Sequence, residues 1–364
     1  MIKKQSITPF KLFLILIHTQ IGVGIVTLPY DIFMKTKESA WITVLVSGMI
    51  IQALIFLFAF IIKRYPSLNL LGIVREHFGK SIGVLLSSLY TIYFLLIVVA
   101  VLIKYVVILK TWMMPITPKW AIVMFTLIVS IFASREGLSV MARFFFIASF
   151  VLIIFLALSS IALKDAKLTY ILPVLKDGFN PLIKGIPTTI YSFQGFEVLL
   201  FLYPFVEGSG KAIVKAASLA NVFVVFLYSH MVLVNVLFFS SAELPLIPQP
   251  VLYLVKSLSF RIIERPDLLF TAMWIVLVVT TLIVLLYVAS ISFNNLLKKQ
   301  RHGLSLYVLS VICFLGSMLI YGEYKINDFI AFIQPFMVLF SIIIPVVIVV
   351  YSYLVYKLKG VKTL

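Results

Sequence analysis

The residues able to do chemistry in this 364-residue chain are few, and the most conspicuous run from Ser192 to Glu197, Ser-Phe-Gln-Gly-Phe-Glu, inside an otherwise apolar stretch from about 186 to 205. A charge at the centre of a membrane helix costs roughly 2.5 to 3.5 kcal/mol, and glycine weakens the helix around it. Opening the helix at Gly195 resolves both problems, because an unwound turn frees N–H and C=O groups to face a buried polar site. The chemistry this permits is recognition of a small polar molecule. The sequence has no Ser/His/Asp set, phosphate loop, paired carboxylates or metal-spaced ligands, so no enzyme, cofactor or metal site is expected.

A second interruption, Ile21-Gly22-Val23-Gly24-Ile25 followed by Pro29, falls in the first apolar run. Gly22 and Gly24 also suit a small-residue packing face, but the matching break at Phe193-Gln194-Gly195 favours unwinding. Freed N–H groups beside a helix N-terminus attract a carboxylate, and opposed carbonyls attract an ammonium or Na⁺, a combination that suits a zwitterionic amino acid.

Other polar residues have narrower roles. Glu197 has no cation on its own helix and is expected to brace the break rather than to react. Lys104, about six residues before Lys110 and so roughly 9 Å from it along a helix, is expected to snorkel to the outer interface; a gating role is the alternative. His18 and His230 are lone histidines expected to be hydrogen-bonded inside the protein. Thr280 and Thr281 either bond back to their own helix, or line the pocket or complete a Na⁺ site.

The elements that must position these residues are membrane helices. The chain is 63% hydrophobic and 12% charged, with mean hydropathy +1.17, far more apolar than a soluble domain. Its net charge of +17 is dispersed through the loops, which argues against nucleic acid as a partner. Cys313 is the single cysteine, so no disulfide framework exists. The basic start, Met1 to Lys11, lacks a cleavage pattern after its apolar run, which is expected to be kept as the first span.

Ten spans are predicted, at about 10–34, 41–62, 82–109, 119–134, 141–163, 184–205, 212–239, 267–293, 304–321 and 327–356, the last tilted or kinked at Pro345. Alternate loops carry seventeen and twelve Lys plus Arg, which puts both termini in the cytoplasm. Leu68 to Lys80 and Val251 to Glu264 mix apolar and charged residues as interfacial amphipathic helices would. With no linker, residues 1–364 form one transmembrane domain. Its two five-span halves, about 10–163 and 184–356, each begin with an interrupted span, the pattern of an inverted-repeat transporter fold.

Ile-Gly-Val-Gly-Ile-Val-Thr-Leu-Pro at 21–29, Tyr-Pro-Ser-Leu at 65–68, Leu-Pro-Val-Leu-Lys-Asp-Gly at 172–178, Gly-Phe-Glu-Val-Leu-Leu-Phe at 195–201 and Ala-Ser-Leu at 217–219 resemble the B subunit of spore germinant receptors. These are the GerAB-type endospore germination permeases, a branch of the amino acid, polyamine and organocation transporter superfamily. The resemblance implies an all-α LeuT-like fold of ten helices in a 5+5 inverted repeat with helices 1 and 6 broken. It also implies residence in the spore inner membrane, an A subunit and a C lipoprotein as partners besides the lipid bilayer, and recognition of a small germinant, commonly an amino acid. By motif, Gly22, Gln194, Thr280 or Thr281 and, more weakly, Ile97 match pocket positions. Val23, Gly24, Ile25, Ser192, Phe193 and Gly195 complete the expected ligand-binding set, with Glu197, Lys104 and Pro29 as structural or gating candidates. Gln194 departs from the family, where an apolar residue can stand, and the span 5 lysine of proton-coupled relatives is absent. A germinant sensor is the expected function; an ion-coupled amino acid transporter or a ligand-gated cation pathway are the alternatives.

Overall fold

The computed structural model of the chain describes residues 6–176, 178–261, 263–297 and 302–358, without the side chains of 302 and 323. The terminal charges Lys3, Lys4, Lys359 and Lys362, the loop charges Lys298, Lys299 and Arg301, and Asp177 of the 172–178 motif lie outside the described residues.

The described chain is helical. In order it forms α1 (Pro9–Gln20), α2 (Gly24–Thr36), α3 (Ala40–Arg64), α4 (Leu70–Trp112), α5 (Lys119–Arg135), α6 (Leu138–Ile161), α7 (Asn180–Ser192), the single turn α8 (Leu199–Leu202), α9 (Gly210–Phe238), α10 (Pro250–Ser257), α11 (Pro266–Asn294), α12 (His302–Leu319), α13 (Glu323–Val338) and α14 (Ile344–Leu358). Six helical stretches among the described residues are long and apolar enough to cross a membrane, including Leu70–Trp112, Gly210–Phe238 and Pro266–Asn294.

Helix α11 is the hub. It is buried around its whole circumference from Leu277 to Ser290, as an all-round apolar helix must be, and packs on α4, α5, α12, α1 and α6. Helix α6 is peripheral and exposes Phe146, Ile147, Phe150 and Ile153, a surface suited to lipid tails. Helix α3 lies against α9, where glycine permits contact: a Cβ on Gly48 would sit 2.2 Å from Cγ2 of Val225. Asn221 locks the crossing by donating from Nδ2 to the Gly48 carbonyl at 3.1 Å and to Oε1 of Gln52 at 3.0 Å.

Within Leu68–Lys80 the chain forms its own helical segment from Leu70, set off from the rest of α4 by a kink at Gly79 with φ 83°, a conformation that only glycine adopts freely, and it buries Leu70, Leu71, Ile73 and Val74. The second amphipathic stretch needs correction. Val251–Glu264 is helical only to Ser257, whose hydroxyl bonds back to the Leu254 carbonyl at 2.7 Å as Leu258 turns extended. The face of α10 is buried against α2 and α11 rather than laid on an interface. The last helical stretch carries a π-helical segment at Leu339–Ile343 just before Pro345, the kind of local distortion that accompanies bends in long helices.

Candidate functional site

Helix α1 stops at Gln20 because side chains from other helices take the carbonyls that would continue it. Thr281 Oγ1 donates to the His18 carbonyl at 2.8 Å, Tyr228 Oη to that of Gln20 at 2.7 Å, and Trp274 Nε1 to that of Gly22 at 3.2 Å. Gly22 is what lets Thr281 approach, since a Cβ there would lie 2.6 Å from its Oγ1. His18 itself is buried, with Nδ1 3.1 Å from Thr280 Oγ1 and Nε2 3.0 Å from Ser149 Oγ. His230 sits 3.1 Å from Ser159 Oγ.

The second interruption begins after Ser192. Gly195 is left-handed, φ 115°, and the chain continues through a 3-10 turn at Phe196–Val198 into α8. Glu197 holds this turn in shape: its Oε2 accepts from the Gly195 N–H at 2.9 Å and its Oε1 from Tyr93 Oη at 2.8 Å. Tyr93 Oη in turn accepts from Gln194 Nε2 at 2.7 Å, which fixes the amide. The two interruptions touch, because a Cβ on Gly195 would lie 2.7 Å from Cγ2 of Thr19.

One hydroxyl ties both interruptions together. Tyr228 Oη shares its hydrogen between the Gln20 carbonyl and the Ser192 carbonyl, the latter at 3.2 Å. Tyr228→Phe is expected to leave both carbonyls buried without that donor, at a cost of about 1 to 2 kcal/mol, with ligand affinity falling alongside stability. Thermal unfolding of the purified variant with and without ligand checks this; an unchanged midpoint removes the bridge from the account.

Between the interruptions is a cavity of about 50 Å³ for the centres of water-sized spheres, room for roughly three to five waters and thus for the smallest amino acids. Among the sequence-predicted residues, Gly22, Val23, Gly24, Ile97, Ser192, Gln194 and Thr281 line it. Ile25, Phe193, Gly195, Thr280, Glu197 and Pro29 do not. Thr280 is one step around α11 from Thr281 and turns to His18, whereas Phe193 stacks edge-on against Tyr228 at 5.1 Å. Gly195 and Glu197 stand behind the wall as its frame.

Lys104 also departs from its expected place at the outer interface. Its side chain is only 20% exposed, and it lines the cavity with Nζ 3.9 Å from Asp31 Oδ2 and 5.1 Å from the Tyr191 ring centre. Ile97, Ala100, Val101 and Lys104 form one face of α4, a helical spacing visible in the sequence. Tyr191, Gln20 and Thr19 flank the predicted breaks and were missed, as was Met337, which carries no local signal.

The cavity's polar groups are arranged by charge type. Helix α2 begins without a side-chain cap, so its N-terminal end offers N–H groups and partial positive charge. The amide oxygens of Gln20 and Gln194 are buried with no hydrogen-bond partner among the described residues. A group with N–H donors satisfies these oxygens, and a carboxylate suits the helix end.

Comparison with known proteins gives the following. The model of a family described as "Spore germination protein" matches residues 6–325. Similar curated proteins include spore germination protein GerQB of Bacillus cereus, 25% identical over 89% of this chain and 89% of that one. Spore germination protein YndE of Bacillus subtilis is 28% identical over 86% and 87% of the two chains, and spore germination protein A2 of the same species is 27% identical over 93% and 97%. Among solved structures, the nucleobase-cation-symport-1 transporter Mhp1, closed with bromovinylhydantoin bound, superposes with TM-score 0.60 at 15% identity, covering 93% of this chain and 78% of that one.

Proposed function

The chain belongs to the spore germination protein family, and on that premise we propose that it is the germinant-sensing B subunit of a spore germination receptor. In this reading a small amino acid binds between the interruptions, its carboxylate at the start of α2 and its ammonium toward the Gln20 and Gln194 amide oxygens. The observation that carries the proposal is the pairing of an uncapped helix start with two unpartnered buried acceptors across one small cavity. Closure of the two frames around the ligand shifts a conformational equilibrium, which binding can do only through different affinities for the two states. An A subunit and a C lipoprotein subunit read that shift.

The proposed architecture is ten spans in a 5+5 inverted repeat within one transmembrane domain, with α1/α2 and α7/α8 as the broken first member of each half. Support comes from the transporter-fold neighbour and from contacts between equivalent spans: α2 with α7, α3 with α9, α4 with α11, and α5 with α12. Both termini lie in the cytoplasm, and the membrane is the spore inner membrane. The family is of permease type rather than of enzymes.

Gly22→Ala tests the site. Its Cβ would meet Thr281 Oγ1 at 2.6 Å, whereas a Cβ on Gly303 of α12, away from the cavity, would meet nothing nearer than Arg135 Nε at 3.9 Å. Spores carrying Gly22→Ala are expected to need about tenfold more germinant, a loss of about 1.4 kcal/mol, and Gly303→Ala spores to respond nearly as wild type. Equal dose responses in both would remove the cavity from the account. The transporter fold favours ion-coupled amino acid transport as the second reading, for which reconstituted protein must accumulate labelled amino acid against a gradient.

A further inference from the structure

Beyond Lys104 lies a second cavity, on the side of the protein where α2 ends. It is walled by Thr27, Tyr30 and Asp31 of α2, by Lys104 and Ile108 of α4, and by Gln249 and Asn327. Measured in the same way as the central cavity it encloses about 190 Å³ rather than about 50 Å³. Lys104 lines both, so one ammonium group stands on the boundary between them.

The walls are continuous from one cavity to the other. Gly24, Thr27 and Asp31 follow one another at three- and four-residue steps on α2, and Val101, Lys104 and Ile108 do the same on α4. Thr27 Oγ1 is buried in this passage with no hydrogen-bond partner among the described residues. Lys104 and Asp31 face each other at 3.9 Å, the outer limit of an ion pair, with side chains 20% and 27% exposed. A pair held this loosely in a partly wet setting contributes little by itself.

We propose that this outer cavity is a second binding site for a zwitterionic amino acid, which docks there before it passes Lys104 into the central cavity. The inference rests on the central cavity being an amino acid site. The ligand's carboxylate takes Lys104, its ammonium takes Asp31, and Thr27 supplies a hydroxyl; one loose pair becomes two close ones. A simple anion meets the repulsion of Asp31 and a simple cation that of Lys104, so only a molecule carrying both charges engages both partners. The larger outer volume admits many side chains and the smaller inner one selects among them. Lys104 then separates admission from selection, held from below by the Tyr191 ring and from the side by Asp31.

The test uses a thiol placed in the passage. Cys313, the single native cysteine, is buried and is replaced by alanine, and Thr27→Cys is introduced in the full chain reconstituted in lipid nanodiscs. A small cationic methanethiosulfonate is expected to label position 27, and L-alanine, or whichever common amino acid binds the wild type, is expected to slow labelling. Analogues lacking the ammonium or the carboxylate, propionate and ethylamine in the case of L-alanine, are expected not to. Asp31→Asn is expected to raise the protecting concentration about tenfold, the scale of one charge-assisted contact. Protection is expected to survive in Gly22→Ala, where the added Cβ pushes Thr281 out of its place in the central cavity's wall. No labelling, equal protection by a singly charged analogue, or loss of protection in Gly22→Ala each overturns the outer site. Failure of the central reading is separate: it shows as a wild-type germination response of Gly22→Ala spores. Absence of binding by every common amino acid removes both.

Discussion

Gly195→Ala is expected to abolish ligand response and to destabilise the protein by about 2 to 6 kcal/mol, one of the two largest effects among substitutions at this site. Two independent costs add. The backbone at 195 is left-handed with φ 115°, a conformation that costs a side-chain-bearing residue about 1 to 3 kcal/mol. The new Cβ would also meet Cγ2 of Thr19 at 2.7 Å and the Thr19 carbonyl carbon at 3.0 Å, a tightness relieved only by moving the α1 backbone, at about 1 to 3 kcal/mol. Thr19 and Gln20 are the end of α1 and part of the cavity wall, so the movement propagates into the cavity. Thermal unfolding of the purified chain reads the stability, and labelled amino acid binding reads the site. A variant with wild-type unfolding and wild-type binding would mean that the two interruptions are not in contact.

Much of this frame was legible in the sequence because membrane helices make polar and small residues conspicuous. Gly22, Gln194 and Thr281 stand out against long apolar runs, and all three line the cavity. The spans were visible for the same reason, as hydropathy alone marks where helices such as α9 and α11 must run. Which of Thr280 and Thr281 faces the cavity was not visible, since one residue turns a helix by about 100° and nothing in an all-round apolar helix records its rotation. The residues that shape the interruptions, Tyr93, Tyr228 and Trp274, were missed altogether. Each is an aromatic ring in an apolar run, a common core residue, and its polar tip matters only once a distant carbonyl or carboxylate is brought to it. Lys104 was misplaced because distance along its own helix to Lys110 pointed outward, whereas Asp31 and Tyr191, from two other helices, hold it inward.

Glu197→Ala is expected to cost about 2 to 6 kcal/mol, and Glu197→Gln about half of that. The carboxylate is wholly buried and accepts from two donors, the Gly195 N–H and the Tyr93 hydroxyl. Among the described residues no cation lies within ion-pair distance of it, so its hydrogen bonds carry its stabilisation. Alanine leaves both donors buried and unsatisfied, each worth about 1 to 3 kcal/mol. Glutamine keeps its amide oxygen on the Gly195 N–H and turns its N–H₂ to the Tyr93 oxygen, which must then accept and turn its own O–H away, so one contact survives and the other is weakened. Loss of the Tyr93 contact also frees the Gln194 amide that Tyr93 holds, so ligand affinity is expected to fall in the same order as stability, wild type above Glu197→Gln above Glu197→Ala. A permeation role predicts something different: Glu197→Gln would then lose ligand-gated ion flux while its unfolding midpoint stayed at the wild-type value. Flux and unfolding measured on the same preparations separate the two, because a brace links them and a permeation group does not.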